Sequence, residues 1–432
     1  MLTLETIRGM ALALGFGRVA ATDASPTDPP PSGAHPQALS LEADPRRILP
    51  QKKKSSTYFI KASIFDKEKY KEIKKNFNPN SNFSKNEKSC MGSMLGMVIG
   101  DAMGARVEFQ PLSYTNNNIK DMGDSISGKF NLKPGQWTDD TSMSLCIADS
   151  LITKEGEFNP KDIMMRFLLW WNNGYNNSFR FDHPRHSVGL GGNISGSFRS
   201  YIDNYGKYEF TIFGNKYTSG NGSIMRNTPI PICYYKNIND ARKYAKLQSK
   251  ITHQGFEASC CCELLSFIIV KILNGNDLKE ILNNLEKEFI CECESVNYLA
   301  KSKQEGNDKN RNWNWKDKNF KYSEERVRKQ SGYIGSYCMD GLAMALHVLY
   351  YTNSFKDAIL KVVNLRGDSD SVGSVVGQIA GAYYGIDNIP NEWIKIINQW
   401  DDNEIALRGY ILFHLFDNVD NNSVNDINKK FK

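Results

Sequence analysis

The sequence predicts an all-α domain over about residues 89–420. Apolar residues recur at helical spacing in nine segments of this region, and clusters of Gly and Asn separate the segments. Alternating apolar and polar residues, which are typical of strands, are scarce; YEFTIFGNKYT at 208–218 is the best candidate for a small β-hairpin. The chain has 432 residues, of which 40% are hydrophobic, so it can bury a substantial core.

The nine predicted helices are defined by their apolar spacing. In chain order they cover 91–105, 141–152, 160–171, 240–253, 258–274, 277–289, 339–352, 354–365 and 371–385. None contains about 18 consecutive apolar residues without charge, so no membrane-spanning helix is expected.

Two of these helices carry glycine at every fourth position. The glycines are Gly92, Gly96, Gly100 and Gly104 in the first, and Gly373, Gly377, Gly381 and Gly385 in the last. Each glycine inside a helix costs about 1 kcal/mol relative to alanine. A whole face of glycine therefore indicates that another backbone approaches closely, although the sequence does not say whether the two helices pack on each other.

The flanking segments differ from this domain. Residues 1–50 contain no Lys or Asn and include the Pro-rich ASPTDPPPSGAHPQ, which indicates a disordered leader or a fused segment. Residues 51–88 are interpreted as a basic linker or helix, and residues 421–432 as a polar tail. Within 51–77, nine Lys against three acidic residues give +6, which equals the net charge of the whole chain, so binding to nucleic acid is not expected.

The cysteine pattern indicates reduced thiols. Nine cysteines include CCC at 260–262 and CEC at 291–293, but there is no Cys-x-x-Cys pair. This spacing predicts neither a zinc framework nor a secreted disulfide scaffold. A cytoplasmic protein is the simpler interpretation, with only weak support for a leader at the amino terminus.

Two polar clusters each combine two aspartates with a neighbouring hydroxyl just before a predicted helix. The first cluster is Thr138, Asp139 and Asp140; the second is Asp368, Asp370 and Ser371. Such residues can cap a helix by accepting its free N–H groups. Capping needs only one side chain, however, and carboxylate and hydroxyl oxygens are also the ligands of hard cations such as Mg²⁺ or Mn²⁺.

Two glycine-rich segments can present backbone N–H groups to a phosphate. They are SGNGSIMRNTP at 219–229 and SVGLGGNISGS at 187–197. Neither is a P-loop, because the Gly-Lys-Ser/Thr ending is missing, and an ordinary turn explains either one alone. His253 lies near the start of a helix, where a structural role is the common one.

Five segments, taken in order, resemble the ADP-ribosylglycohydrolase family. They are GMVIGDAMGARVEF, GQWTDDTSMSLCIADSL, GNGSIMRNTPIP, ITHQGFEA and RGDSDSVGSVVGQIAGAYYG, and they span residues 92–385. The family includes the dinitrogenase-reductase-activating glycohydrolase and hydrolases of ADP-ribosylarginine and ADP-ribosylserine. The resemblance implies a compact orthogonal helical bundle with two Mg²⁺ or Mn²⁺ ions at the base of an ADP-ribose cleft.

The resemblance also implies roles for individual residues. It implies metal ligands at Thr138, Asp139, Asp140, Asp368, Asp370 and Ser371, and substrate contacts at Gly191, Asn193, Asn221, Gly222, Ser223, Met225 and His253. It implies catalytic roles for Glu108, Asp139, Asp140 and Asp370, and a structural one for Asp101. Arg366 replaces a glycine that is commoner in the family and brings a cation near the predicted metal site. Residues 301–330 look like an insertion, in which Trp313 and Trp315 either anchor a loop, the favoured interpretation, or line an entrance.

The expected activity is metal-dependent hydrolysis that removes ADP-ribose from a modified protein side chain or a small conjugate. The bond cleaved would be the one at the anomeric carbon of the distal ribose, through an oxocarbenium-like state. Two alternatives stay open: a catalytically weak ADP-ribose-binding or structural member of the family, and a metal hydrolase of phosphate esters. The partner is expected to be an ADP-ribosylated protein, without nucleic acid or membrane, and the protein is expected to be a monomer.

Overall fold

A computed structural model describes residues 63–79, 81–126, 128–179, 182 and 186–416. These residues form sixteen α-helices and no β-strand; two isolated bridges, Gly220 with Tyr337 and Gln304 with Asn312, are the strand-like pairings among them. The all-α prediction is confirmed. Within the same residues, no helix combines the length and hydrophobicity needed to cross a bilayer.

The helices follow one another along the whole described chain. They are α1 (Glu68–Asn76), α2 (Lys85–Gly104), α3 (Asp139–Thr153), α4 (Pro160–Asn173), α5 (Gly192–Asp203), α6 (Pro229–Cys233), α7 (Ile238–Lys250), α8 (Phe256–Leu273), α9 (Leu278–Glu288), α10 (Glu294–Ala300), α11 (Glu324–Gln330), α12 (Cys338–Tyr351), α13 (Phe355–Val363), α14 (Ser369–Tyr384), α15 (Asn391–Asp401) and α16 (Glu404–His414).

All nine predicted helices are present, as α2–α4, α7–α9 and α12–α14. The predicted hairpin at 208–218 is wrong, because this stretch is an irregular loop. Its polar side chains bind its own backbone: Asn215 N donates to Thr218 Oγ1 at 2.9 Å, and Tyr217 N donates to Asn215 Oδ1 at 2.9 Å. Such local hydrogen bonds compete with the ladder that a hairpin needs.

Helices α2 and α14 pack directly on each other along their glycine faces. A Cβ on Gly96 would lie 2.1 Å from Gly377 O, and one on Gly100 would lie 2.0 Å from Gly373 O. No side chain fits at these distances, so glycine is required for the approach. The sequence predicted the close approach but not the partner, and the structure identifies each helix as the partner of the other.

This pairing is antiparallel. Gly92 faces Gly381 at one end, while Gly104 faces Ser369 at the other. The carboxyl end of α2, with Asp101, therefore meets the amino end of α14, with Asp370. Asp101 and Asp370, which are far apart in the sequence, therefore lie at the same buried end of the helix pair α2–α14.

The predictions for the flanking segments concern residues that lie mostly outside the described part of the chain. Residues 1–50, 51–62 and 421–432 are all outside it. Of the basic segment 51–88, the described part contains α1. This helix packs on the domain, since Lys74 forms ion pairs with Asp402 at 2.9 Å and with Glu404 at 2.6 Å.

Candidate functional site

The amino terminus of α3 is capped by a residue from another helix. Asp101 of α2 accepts hydrogen bonds from Thr138 N at 3.1 Å and Thr138 Oγ1 at 2.9 Å. It also accepts hydrogen bonds from Thr141 N at 3.0 Å and Thr141 Oγ1 at 2.7 Å. Because Asp101 supplies the capping oxygens, Asp139 and Asp140 are available for another role.

A second acidic group lies between the carboxyl end of α2 and the amino end of α14. Glu108, Asp368 and Asp370 each place one carboxylate oxygen within 4.8 Å of the others. The backbone fixes Glu108 there: Phe109 N donates to Gly367 O at 2.9 Å, and Gly367 N donates to Gln110 O at 3.0 Å. The sequence predicted these three acids at one site, and the structure brings them together.

Two buried carboxylate oxygens in this region accept no hydrogen bond from any residue that the structure describes. They are Glu108 Oε2 and Asp140 Oδ1. A buried carboxylate oxygen without a donor is costly, and a bound cation is one way to satisfy it. Neither oxygen is paired with a cationic side chain of a described residue. Carboxylate oxygens of this kind are the ligands that Mg²⁺ or Mn²⁺ prefers.

The electrostatics show that the two predicted clusters share one environment. Burial raises the pKa of Glu108 well above its usual range, and the charges of Asp370 and Asp368 raise it further. Burial likewise raises the pKa of Asp140, with additional contributions from Asp370 and Asp101. Since these carboxylates penalise one another's ionisation, divalent cations would stabilise their charged forms.

The pKa values of Asp139 and Asp370 are raised for similar reasons. Burial raises the pKa of Asp139, and Asp101 adds to the effect. Burial also raises the pKa of Asp370, to which Asp368 contributes. Ser371, the predicted hydroxyl ligand, is buried one turn into α14 and directs its Oγ toward Met225 Sδ at 3.7 Å.

Asn221 joins the glycine-rich segment 219–229 to the acidic group. Its Nδ2 donates to Asp368 Oδ2 at 3.0 Å and to Gly335 O at 3.1 Å. Its backbone N donates to Ser336 O at 2.8 Å. The predicted substrate residue thus also orients a predicted metal ligand.

Other predicted substrate residues of this loop face the interior. Ser223 is fully buried, and its Oγ accepts from Ser249 Oγ at 2.8 Å. Met225 O accepts hydrogen bonds from Ser374 Oγ at 2.9 Å and Gln378 Nε2 at 2.8 Å, so the loop is bound to α14. The Ser223 hydroxyl is engaged in the core, and the loop meets the site through its backbone.

His253 supports the same loop from behind. A Cβ on Gly222 would lie 3.0 Å from His253 Cε1 and 3.2 Å from His253 Nε2, so the imidazole packs closely against this glycine. Arg226 Nη2 donates to Thr252 Oγ1 at 2.7 Å, and Thr252 Oγ1 lies 2.8 Å from His253 Nδ1. Since the guanidinium can only donate, Thr252 Oγ1 accepts from Arg226, and this hydroxyl links the guanidinium to the imidazole ring. Burial and Arg226 lower the pKa of His253 to about 3.

In the second glycine-rich segment, 187–197, the loop ends at Gly191, because α5 begins at Gly192. No described side chain caps this helix, and the N–H groups of residues 192–194 donate to no described residue. Positions 191 and 192 face open space, since a Cβ there would meet no atom within 4 Å. A helix start with free N–H groups attracts an anion. Asn193 lies beside Gly220, its Nδ2 3.0 Å from where a Cβ of Gly220 would be.

Gly189 is a site residue that the sequence reasoning did not single out. It has φ +94°, and a Cβ there would lie 2.0 Å from Asp139 Oδ1. Only glycine allows the chain to pass so close to this carboxylate. Gly189 could not be distinguished from the other glycines of its segment, because nothing in the sequence indicates that residue 189 contacts Asp139.

Arg366 takes a position that differs from the suggested one, whereas the insertion follows the favoured interpretation. Arg366 adopts φ +67°, a conformation that favours glycine, and its Nη2 donates to Asn116 Oδ1 at 3.1 Å rather than to a carboxylate. Trp313 and Trp315 have exposed fractions of 1% and 0%, so they anchor the insertion as the favoured interpretation held. Two guanidinium groups, of Arg311 and Arg326, each lie 5.6 Å from the ring of Trp313.

The chain matches the model of a known protein family. The match, to ADP-ribosylglycohydrolase, covers residues 84–421, which is well over half of the chain. The chain belongs to the ADP-ribosylglycohydrolase family. Members of this family are hydrolases, and the expectation that this protein is an enzyme of that class is confirmed.

Relatives within the ADP-ribosylglycohydrolase family act on several ADP-ribosylated substrates. An ADP-ribosylarginine hydrolase Tri1 of Pseudomonas putida (strain GB-1) is 33% identical over 70% of this chain and 72% of its own length. The ADP-ribosyl-[dinitrogen reductase] glycohydrolase of Rhodospirillum rubrum is 27% identical over 73% of this chain and 92% of its own length. A solved structure titled ADP-ribosylglycohydrolase-related protein complex superposes with a TM-score of 0.59 at 26% identity, covering 77% of this chain and 99% of the other.

Proposed function

We propose that this protein removes ADP-ribose from arginine side chains of modified proteins, with two Mg²⁺ or Mn²⁺ ions held by the acidic residues described above. The observation that carries the proposal is the convergence of Glu108, Asp368 and Asp370 within 4.8 Å beside the buried Asp140. Buried carboxylates that repel one another are unfavourable unless cations are present, so their grouping in one place supports a cation site.

The residues proposed to hold the ions are Thr138, Asp139, Asp140, Asp368, Asp370 and Ser371. Bound divalent cations would neutralise these carboxylates, orient the ribose hydroxyls and lower the pKa of a water molecule. Gly189 and Asn221 support the proposal because they fix the predicted ligands Asp139 and Asp368 in place.

Glu108 is the proposed general base. It takes a proton from the water that adds to the anomeric carbon, while the bond from that carbon to the arginine nitrogen breaks and this nitrogen takes up a proton. Its raised pKa and its unpartnered Oε2 suit a group that exchanges a proton. The diphosphate is proposed to lie against the amino end of α5 and the backbone of residues 220–222, with the His253 ring behind them.

The arginine linkage is supported by the relatives of higher identity. Two Tri1 proteins, at 33% and 32% identity, are named ADP-ribosylarginine hydrolases, whereas ARH3 proteins, named ADP-ribosylhydrolases, share 22% to 26%. We therefore propose the arginine linkage for this protein.

The test uses peptides ADP-ribosylated on arginine or on serine, with mass-spectrometric detection of the unmodified peptide. The wild-type protein with Mg²⁺ or Mn²⁺ should restore the arginine peptide at least about tenfold faster than the serine peptide. Glu108→Gln should lower kcat by about 10²-fold or more, the scale of general-base catalysis. Glu392→Gln, a change on the exposed surface of α15, serves as the control and should match the wild type. Equal rates on both linkages would overturn the arginine assignment, and full activity of Glu108→Gln would overturn the role of Glu108.

A further inference from the structure

We propose a second metal site, formed by thiolates, at Cys260, Glu263 and Cys291, with Cys293 beside them; it fits a borderline-soft divalent cation such as Zn²⁺. This site shares no residue with the acidic one. The spacing of the cysteines in the sequence argued against a zinc site, because the ligands come from a helix and a separate loop rather than from Cys-x-x-Cys pairs.

The geometry brings ligand atoms of the right type together. One ligand atom each from Cys260, Glu263 and Cys291 lies within 4.8 Å of the other two. The thiol of Cys260 also interacts with the thiol of Cys293. In a tetrahedral zinc site with bonds of about 2.0–2.3 Å, ligand atoms stand about 3.5–4 Å apart, so only a small adjustment is needed.

Local structure explains why these side chains converge. Cys260 and Glu263 are three residues apart on α8 and therefore share one face. Cys291 and Cys293 are two residues apart in the segment before α10, where Cys293 is extended, so both can turn to one side. The segment is fixed: Cys291 N donates to Asn297 Oδ1 at 2.9 Å, and Asn297 Nδ2 donates to Cys291 O at 2.8 Å.

A buried carboxylate oxygen without a hydrogen bond is the second, independent sign of a ligand. Glu263 has an exposed fraction of 5%, and its Oε2 makes no hydrogen bond. Its Oε1 accepts from Arg242 Nε at 2.9 Å, so the carboxylate is oriented, while Oε2 accepts no hydrogen bond from a described residue and has only the Lys246 ammonium at 3.8 Å as a charged neighbour. Metal-binding carboxylates are commonly hydrogen-bonded from outside in this way.

Neighbouring cations balance the negative charge that such a site would carry. Three thiolates and one carboxylate around a divalent cation give a net charge of about −2. Arg242 Nη2 lies 2.8 Å from Glu263 Oε1, and Lys246 Nζ lies 3.8 Å from Glu263 Oε2. Cys291 is only half-buried, which leaves a route for the ion to enter.

The test is titration of the reduced, chelator-treated full-length protein with Co²⁺. A thiolate site predicts sulfur-to-cobalt charge-transfer absorption in the near ultraviolet that saturates at one equivalent, whereas cobalt on carboxylates gives none. Cys260→Ser should abolish this absorption, and Glu263→Gln should weaken Co²⁺ binding about tenfold or more. Cys146→Ser is the matched control, because a hydroxyl can keep the hydrogen bond of Cys146 Sγ to Arg166 O at 3.5 Å.

A second measurement needs no variant and so does not depend on folding of Cys260→Ser. Zn²⁺ should protect Cys291 from alkylation in the wild-type protein, as mapped by peptide mass spectrometry. The proposal is overturned if no charge-transfer absorption appears, if it persists in Cys260→Ser, or if Zn²⁺ leaves the alkylation of Cys291 unchanged. A stable disulfide between these thiols in protein that binds no metal would overturn it as well. None of these results bears on hydrolysis at the acidic site.

Discussion

Thr141 Oγ1 and Thr141 N of α3 both donate hydrogen bonds to Asp101 Oδ2 of α2, at 2.7 Å and 3.0 Å. This contact joins the carboxyl end of one helix to the amino end of the other. It places Asp139 and Asp140 beside the end of the central pair α2–α14, and it removes the need for either acid to cap its own helix. The geometry of the acidic site therefore depends on a buried contact that touches neither substrate nor cation.

Thr141→Val is expected to destabilise the protein by about 1–3 kcal/mol, because it leaves a buried carboxylate short of one donor. Urea unfolding measures the loss of stability, and titration with Mn²⁺ should show weaker binding in the same variant. Thr153→Val removes hydrogen bonds to Asp149 O and Ser150 O at the other end of α3 and is the control. It should not alter Mn²⁺ affinity; an equal loss of affinity in both variants would contradict the role of the Asp101 contact.

Gly377→Ala is expected to destabilise the fold by about 3 kcal/mol or more, since overpacking of a rigid contact forces backbones apart. The added Cβ would lie 1.9 Å from Gly96 O. Gly123→Ala, where the nearest atom would be 4.0 Å away, should have little effect. Thermal unfolding of both variants checks this expectation, and a stable Gly377→Ala protein would show that α2 and α14 do not pack as described.

Gly189→Ala is expected to lower Mn²⁺ affinity and kcat, because its Cβ would displace the carboxylate of Asp139. The left-handed φ of residue 189 adds a cost of about 1 kcal/mol for alanine, which must be separated from the displacement. Gly275→Ala is the matched control: it also has a left-handed φ, of +88°, but its Cβ would meet no atom within 4 Å. The two variants should lose similar stability, and only Gly189→Ala should lose Mn²⁺ binding. Unchanged binding in both would contradict the contact with Asp139.

His253 makes stability depend on pH in a defined direction. Its pKa in the folded protein is about 3, below the value of about 6.5 for an unfolded chain. The unfolded state therefore takes up a proton as pH falls below about 6.5 while the folded state does not, so stability is lost on acidification. The free energy of unfolding should drop by up to about 2 kcal/mol more in the wild type than in His253→Gln between pH 7.5 and 5. Chemical denaturation at the two pH values measures the difference, and identical drops would show that His253 is protonated in the folded state.

Much of the fold follows from patterns that lie within single segments. Apolar periodicity located nine helices, and the glycine repeats correctly indicated a close backbone contact. The 208–218 hairpin was predicted wrongly because side chains such as Asn215 satisfy the backbone locally. The glycine-rich start of α5 was interpreted as a loop, since helix propensity argues against Gly192 and Gly196 even where the helix forms.

The sequence predicted which residues belong to the candidate site, but not how most of them are arranged in space. Local sequence placed Asp139 and Asp370 at helix starts, and the family resemblance joined them. The pairing of Asp101 with Thr141 and the approach of Gly189 to Asp139 were not predictable, because each joins positions far apart in the chain through tertiary contacts. The convergence of Cys260 with Cys291 was not predictable either, because it also depends on a tertiary contact.

The central claim is that the acidic residues at the ends of α2, α3 and α14 hold divalent cations. Equilibrium dialysis of the chelator-treated protein against Mn²⁺ tests it most directly, because this hard cation prefers carboxylate oxygens to thiolates. We predict two Mn²⁺ ions bound per wild-type chain, and loss of Mn²⁺ binding in Asp370→Asn with the helical circular-dichroism spectrum retained. Absence of Mn²⁺ from the wild type, or undiminished binding by Asp370→Asn, would contradict the account.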